Sequence, residues 1–375
     1  STKAYDYDYC YRLAARAHHT HTTHTTQHTH NTTHTMSSLV AANQKKRKLQ
    51  ASAVLSHRPT CVEFCKGNWS STASTPKTPL IVSGGASHTE GGLGCLFLSR
   101  VLQPASDLLE LRTDHWMPTP GGVTCMSTAG SSTSGVVNDT DTLVIGTDTG
   151  NICVVRVNKQ DAEFLGDLVD PLENSNNTFA LENAASSSSS AAAAAARCSV
   201  TSISVAQGAN NVVAVTDSGS VYSMRNLLQD QQQEGERVEI RKFHVRENSS
   251  LNAVSHLHED ILFVTAGASP VAQLKLWDPR VSDGSSVVAT FKDENSSVSY
   301  TSLACHPTDK HLVMTGTSDG HVCVWDIRQS CVRNRVKKHT GSVTGISFGV
   351  PHSQHVYTTC TCSNYVLLLF FLVVF

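Results

Sequence analysis

The sequence is poor in charge. Lys, Arg, Asp and Glu make up 16% of its 375 residues, against about 25% in an ordinary globular chain. The 29 basic and 31 acidic residues leave a formal net charge of -2. A chain without excess positive charge has no general attraction to nucleic acid or to an acidic membrane surface. We therefore expect no direct nucleic-acid partner.

Signatures of catalysis and of membrane insertion are scarce as well. The chain has no phosphate-cradling Gly-x-x-x-x-Gly-Lys loop and no His-Glu-x-x-His zinc motif, and the glycines from Gly91 to Gly94 read as a turn. We expect a protein that is not an enzyme, with no catalytic, cofactor or metal residues, no cofactor and no small-molecule substrate. The apolar run Val366 to Phe375 has ten residues, against about 20 for a membrane-spanning helix, so no membrane insertion is expected.

The twelve cysteines do not form a disulfide pattern. They are scattered, several lie in apolar strand-like runs, and no secretory signal precedes them. The close pairs Cys61/Cys65 and Cys360/Cys362 each lack a second pair at the spacing of zinc ligands. We expect reduced thiols in a nuclear or cytosolic protein.

The first 50 residues differ from the rest. Residues 18–35 are almost entirely His and Thr, with nothing apolar to bury, so residues 1–50 are predicted to be disordered. Alternating His and Thr could bind metal, but a translated CA-dinucleotide repeat also encodes it, and Met36 is then a plausible true start. The basic cluster Lys45, Lys46, Arg47 and Lys48 fits either a nuclear-import signal or a solvated extension.

From residue 51 to residue 365 one pattern recurs. Its clearest copy runs from His311 to Asp326: an apolar strand, a tight turn at Asp319-Gly320, and an alternating strand ending in Trp325-Asp326. Weaker copies surround it, with Leu98, Val155, Met224 and Trp277 taken as equivalents of Trp325. Strands before and after each hairpin make four per unit, and residues 184–197, rich in Ser and Ala, are predicted to be an inserted surface loop.

These units resemble WD repeats. The resemblance implies an all-β fold, a WD40-type β-propeller with five recognisable blades and a partial sixth, followed by an aberrant apolar tail at 366–375. It assigns blade packing to Trp277, Asp278, Trp325, Asp326, Asp319 and Gly320, because bulky residues at the third-strand ends bury each blade against its neighbours. Over residues 249–329 the chain resembles the small WD-repeat nucleoporins of the Y-shaped nuclear-pore scaffold, through Ser250-Leu-Asn-Ala-Val254, Gln273-Leu-Lys-Leu-Trp-Asp-Pro-Arg280 and Trp325-Asp-Ile-Arg-Gln329. Such nucleoporins are similar to seven-bladed rings, so the chain is expected to stop about one and a half blades short.

What the nucleoporin resemblance implies is a non-catalytic scaffold subunit. Its partners would be other Y-complex nucleoporins, including a helical-solenoid subunit of the short arm. It would serve pore assembly and nucleocytoplasmic transport, mRNA transport included, at the nuclear envelope, and would act at kinetochores in mitosis.

The alternative is a substrate receptor of a cullin-type ubiquitin ligase. Trp277-Asp-Pro-Arg280 and Trp325-Asp-Ile-Arg328 both match the Trp-Asp-x-Arg box by which many WD proteins bind that ligase's propeller adaptor. Arg280 and Arg328 would contact the adaptor, unless each pairs locally within its own blade. Separately, Thr75 and Thr78 each precede a proline and are candidates for proline-directed phosphorylation.

Overall fold

A computed structural model describes fifteen stretches of the chain. They are residues 59–65, 80–86, 94–102, 110–129, 140–158, 163–169, 198–206, 211–227, 239–244, 249–257, 262–268, 274–281, 286–293, 297–348 and 356–361. Several predictions fall outside them: the head 1–50 with Met36 and Lys45 to Lys48, the threonines Thr75 and Thr78, the loop 184–197 and the tail 366–375.

The described residues form six antiparallel sheets, here called blades one to six. Blade one holds β1 (Pro59–Phe64), β2 (Leu80–Ala86), β3 (Gly94–Leu102) and β4 (Glu110–Thr119). Blade two holds β5 (Val123–Ala129), β6 (Thr140–Thr147), β7 (Ile152–Asn158) and β8 (Glu163–Val169). Blade three holds β9 (Val200–Val205), β10 (Asn211–Thr216), β11 (Ser220–Arg225) and β12 (Glu239–His244).

The remaining three blades follow the same order. Blade four holds β13 (Leu251–His256), β14 (Phe263–Gly267), β15 (Leu274–Trp277) and β16 (Val287–Phe291). Blade five holds β17 (Tyr300–Cys305), β18 (Leu312–Thr317), β19 (His321–Asp326) and β20 (Cys331–Lys337). Blade six shows two strands within the described part, β21 (Val343–Phe348) and β22 (Val356–Cys360).

The second strand of a blade is mostly apolar in sequence because it is buried on both faces. Every residue of β10 and of β18 is buried, because a middle strand has a neighbouring blade on each face. The outer strand β20 instead has only exposed and half-buried side chains, so polar residues are tolerated along it. Clusters of buried side chains join each blade to the next, for example Val213 and Val221 of blade three with Phe263 and Trp277 of blade four. The predicted WD40-type β-propeller is confirmed.

A shared tight turn joins the second and third strands of blades two, three and five. Its first residue is a threonine whose Oγ1 accepts the backbone N–H four residues on, at 2.9 to 3.1 Å for Thr147, Thr216 and Thr317. The fourth residue is a glycine with a positive φ, 88° at Gly320, where a side chain would be strained. A Cβ on Gly320 would also collide with the carbonyl of His339, so the turn requires glycine for two reasons.

The strand register corrects one sequence alignment. Trp277 and Trp325 each sit where the third strand's pairing with the outer strand shifts by one residue. In blade one that shift falls at Leu98/Ser99, with Ser99 opposite Thr113. Ser99 therefore occupies the tryptophan position, and the assignment of Leu98 was wrong by one residue.

The cysteine prediction also needs a correction. Nine described cysteines are free, among them Cys61, Cys65 and Cys331. Cys360 is disulfide-bonded, and its partner lies outside the described residues. The expectation of uniformly reduced thiols was therefore wrong at Cys360. No helix in the described stretches is long and apolar enough to span a bilayer.

Candidate functional site

The described turns lie at two opposite ends of the blades, because successive antiparallel strands reverse direction. We call the end with the threonine turns the turn face, defined by 147–150, 216–219 and 317–320. Each of these turns bonds to the segment entering the first strand of its own or the next blade, as in Ser318 N–H to Ser299 O at 3.0 Å and His339 N–H to Gly320 O at 3.1 Å. We call the opposite end the WD face, defined by 278–280 and 326–328.

Two identical arginine pairs lie on the WD face. Arg328 donates from Nε and Nη2 to the two carboxylate oxygens of Asp326, at 3.2 and 3.0 Å, and its backbone N–H bonds the same carboxylate. Arg280 forms the same fork with Asp278, at 2.9 and 2.8 Å. These hydrogen bonds lower the pKa of Asp278 and of Asp326 below the usual range. Each arginine thus already pairs with a carboxylate of its own blade.

This pairing bears on the ubiquitin-ligase alternative. The side chains of Arg280 and Arg328 are 55% and 58% exposed, so a partner could reach them. The ion pair within each blade is nevertheless a sufficient reason for an arginine two residues after the aspartate, so the Trp-Asp-x-Arg motif does not by itself require a binding partner. The adaptor-binding role of Arg280 and Arg328 stays a prediction.

The two tryptophans lie between blades rather than at a surface. Trp325 is fully buried, meets Tyr300 edge-on at 5.7 Å, and donates its indole N–H to Thr315 Oγ1 at 2.9 Å. Trp277 stacks on Phe263 at 6.0 Å and donates to Thr265 Oγ1 at 2.9 Å. Both indole rings are therefore structural wedges whose single polar group is satisfied.

Asp319 takes part in a charged network at the edge of blade five. Its carboxylate accepts from Thr317 Oγ1 at 2.6 Å and lies 2.9 Å from His321 Nδ1 and 3.6 Å from Arg335 Nη2. Burial raises the pKa of Asp319, but these polar neighbours outweigh it and lower the pKa overall. Arg335 also bonds Asp293, just after the last strand of blade four, at 2.9 Å, so the network joins two blades.

A recurring hydroxyl at the seams between blades was missed from the sequence. The second residue of the first strand is threonine in blades one, two, three and five, and its Oγ1 donates to a main-chain carbonyl of the next blade's first strand. For Thr201 the acceptor is Leu251 O at 2.6 Å, and for Thr301 it is Val343 O at 2.6 Å. Blade four uses Asn252, which donates to Tyr300 O at 2.7 Å. The signal in the sequence was a polar residue at the second position of the first strand of each of these blades.

Catalytic motifs and groups of metal ligands are scarce among the described residues. Gly316-Thr-Ser-Asp-Gly320 has the Gly-x-Ser-x-Gly spacing of a hydrolase elbow, but it forms a hairpin turn between β18 and β19 rather than a strand-to-helix turn. No group of three potential metal ligands occurs in the described stretches. The first strands of blades two to six carry no Asp, Glu, Lys or Arg. What the described residues present to solvent are the turns at the two ends of the blades and the outer strands.

Comparisons with known proteins find sequence similarity over part of the chain. No family model matches the chain. It is 27% identical to human nucleoporin Nup43 over 151 residues, 39% of this chain and 36% of that protein. It is 33% identical to the nuclear pore complex protein nup43 of Dictyostelium discoideum over 85 residues, 23% of this chain and 20% of that one. The matches thus span a fifth to about a third of these relatives.

A solved structure supports the architecture. Raptor from Chaetomium thermophilum superposes with a TM-score of 0.51 over 82% of this chain and 23% of its own, at 14% identity. At 14% identity the similarity supports the fold and carries no information on function. The chain therefore has the WD-repeat fold and is similar to Nup43 over part of its length.

Proposed function

We propose that this protein is a non-catalytic scaffold subunit of the nuclear pore's Y-shaped complex. The observation that carries the proposal is its similarity to nuclear-pore proteins of two distant organisms, human and Dictyostelium, each named Nup43. Its partners are other Y-complex nucleoporins, including a helical-solenoid subunit of the short arm. Its roles are pore assembly and nucleocytoplasmic transport, with mRNA transport among them, and a kinetochore function in mitosis.

The physical properties of the blades suit such a role. Successive blades share buried clusters and seam hydrogen bonds, so the array of blades holds its surfaces in fixed relative positions. A rigid body of this kind can dock several chains without ordering itself on binding, which saves conformational entropy. Loops and outer strands differ from blade to blade, so each can contact a different partner.

Affinity purification of the endogenously tagged protein tests the proposal. Quantitative mass spectrometry should recover Y-complex nucleoporins in near-stoichiometric amounts from nuclear-envelope extracts. A Trp325→Ala variant serves as the control, because loss of a buried wedge should reduce recovery by disturbing the ring. Recovery of a cullin adaptor without nucleoporins would contradict the proposal. If that binding is also lost on charge reversal at Arg280 and Arg328, the ligase reading replaces the scaffold.

A further inference from the structure

The seam between blades three and four has an unusual set of hydrogen bonds. Besides the Thr201 bond described above, two serines of β9 accept backbone N–H groups of β13. Ser202 Oγ accepts from Val254 at 3.2 Å, and Ser204 Oγ accepts from His256 at 3.1 Å. Serine side chains thus link the two first strands much as a ladder of backbone hydrogen bonds would.

One titratable side chain belongs to this ladder. His256 Nδ1 lies 2.9 Å from Ser204 Oγ, and the residue is only 6% exposed. Because Ser204 Oγ already accepts a backbone N–H, its own hydrogen is available to donate to a neutral Nδ1. The other ring nitrogen, Nε2, is buried and has no hydrogen-bond partner in the described part of the chain. The ring edge rests against Phe263, with centroids 6.1 Å apart.

The strands around His256 provide no compensating charge. β9, β10, β13, β14 and β17 pack around it and contain no Asp, Glu, Lys or Arg. The other titratable groups on these strands are Tyr300, which packs against Trp325, and Cys305, whose Sγ contacts Ser255 O at 3.9 Å. Burial raises the pKa of that thiol to about 12, so it stays neutral. His258, Glu259 and Asp260 follow in the chain, outside the described residues.

Protonation of His256 is therefore unfavourable while the seam is closed. A second ring proton leaves a positive charge among apolar groups, and the strands packed against β13 supply no carboxylate to compensate it. Burial lowers the pKa of His256 from the usual 6.5 to about 4. The neutral imidazole stabilises the closed seam above pH 6.5, and this contribution is lost as the pH falls towards 4.

We propose that the seam between blades three and four is an acid-sensitive latch, in which protonation of His256 puts a charge into the closed interface and opens it at a higher pH than a seam without a buried histidine. The device does not depend on the proposed pore function, since it rests on contacts within the chain.

Hydrogen exchange measured by mass spectrometry on the full chain at pH 7 and pH 5 tests the latch. Rates are corrected for the intrinsic pH dependence of amide exchange. With a pKa of about 4 closed and 6.5 open, the opening equilibrium of β9 and β13 should increase about 20-fold at pH 5. Amides of β5 and β6, whose buried cluster with blade one contains no histidine, should change much less. Uniform loss of protection across all blades would overturn the proposal.

Two variants separate the latch from general acid sensitivity. His256→Val removes the titrating group, and Val205 already occupies the corresponding sixth position of β9, so the pH effect at the seam should disappear. His306→Asn is the matched control, because His306 caps a loop of blade five and its pKa is also lowered by burial. It should leave the β13 response unchanged. An NMR titration of the unaltered protein that places the His256 pKa above 6 would refute the latch even if a variant fails to fold.

Discussion

Replacing Thr201 by valine tests whether the seam hydroxyls hold the ring together. The substitution keeps the shape of the side chain and removes one hydroxyl, which contacts Leu251 O at 2.6 Å across the seam and Val215 O at 3.1 Å within blade three. A hydrogen bond contributes about 0.5 to 1.5 kcal/mol net, and a buried carbonyl left without a partner costs about 1 to 3 kcal/mol. The free energy of unfolding should therefore fall by about 1 to 3 kcal/mol.

Urea denaturation measures this change as a shift of the midpoint at constant slope. Thr290→Val is the matched control, because Thr290 is exposed on the outer strand β16 and its replacement should change stability by less than about 0.5 kcal/mol. Thr201→Ser keeps the hydroxyl and should retain most of the stability. Equal midpoints for Thr201→Val and Thr290→Val would refute a structural role for the seam hydroxyl.

Three further substitutions test other parts of the structure. Trp325→Ala should lower the free energy of unfolding by about 3 to 5 kcal/mol, since it leaves a cavity between blades four and five; calorimetry that finds less than about 1 kcal/mol would contradict the wedge. Gly320→Ala should cost about 1 to 3 kcal/mol, because φ is 88° and a Cβ meets the His339 carbonyl; an unchanged melting temperature would show that the turn tolerates a side chain. Arg328→Gln should reduce stability slightly at pH 7, and the loss should shrink as acid protonates Asp326, whose pKa is lowered by Arg328; a loss that does not change with pH would argue against the ion pair.

Much of the fold could be predicted because a few residues report directly on backbone geometry. The Asp319-Gly320 pair marks a turn that only glycine fits, and the Trp-Asp ends mark the third strands. The start of a sixth blade was also predicted, and the described residues show two of its strands, β21 and β22. In blade one the position equivalent to Trp325 was assigned to Leu98 instead of Ser99, because the register shift at Ser99 can be identified only from the pairing with β4.

The seam contacts were not predictable in the same way. Thr201 and Thr301 look like ordinary strand residues, and their importance depends on a carbonyl about 40 to 50 residues away in the chain. Ser204 and His256 are likewise brought together only by the packing of two blades. The pairing of Arg280 with Asp278 was foreseen as one of two options, since both residues lie in the same turn.

Fluorescence imaging of the endogenously tagged protein tests the central claim most directly. If this ring is a pore scaffold, the signal should form a punctate rim at the nuclear envelope that coincides with other Y-complex nucleoporins, and Trp325→Ala should weaken the rim. A signal spread evenly through nucleus and cytoplasm, with no rim when the unaltered protein is soluble and folded, would contradict it.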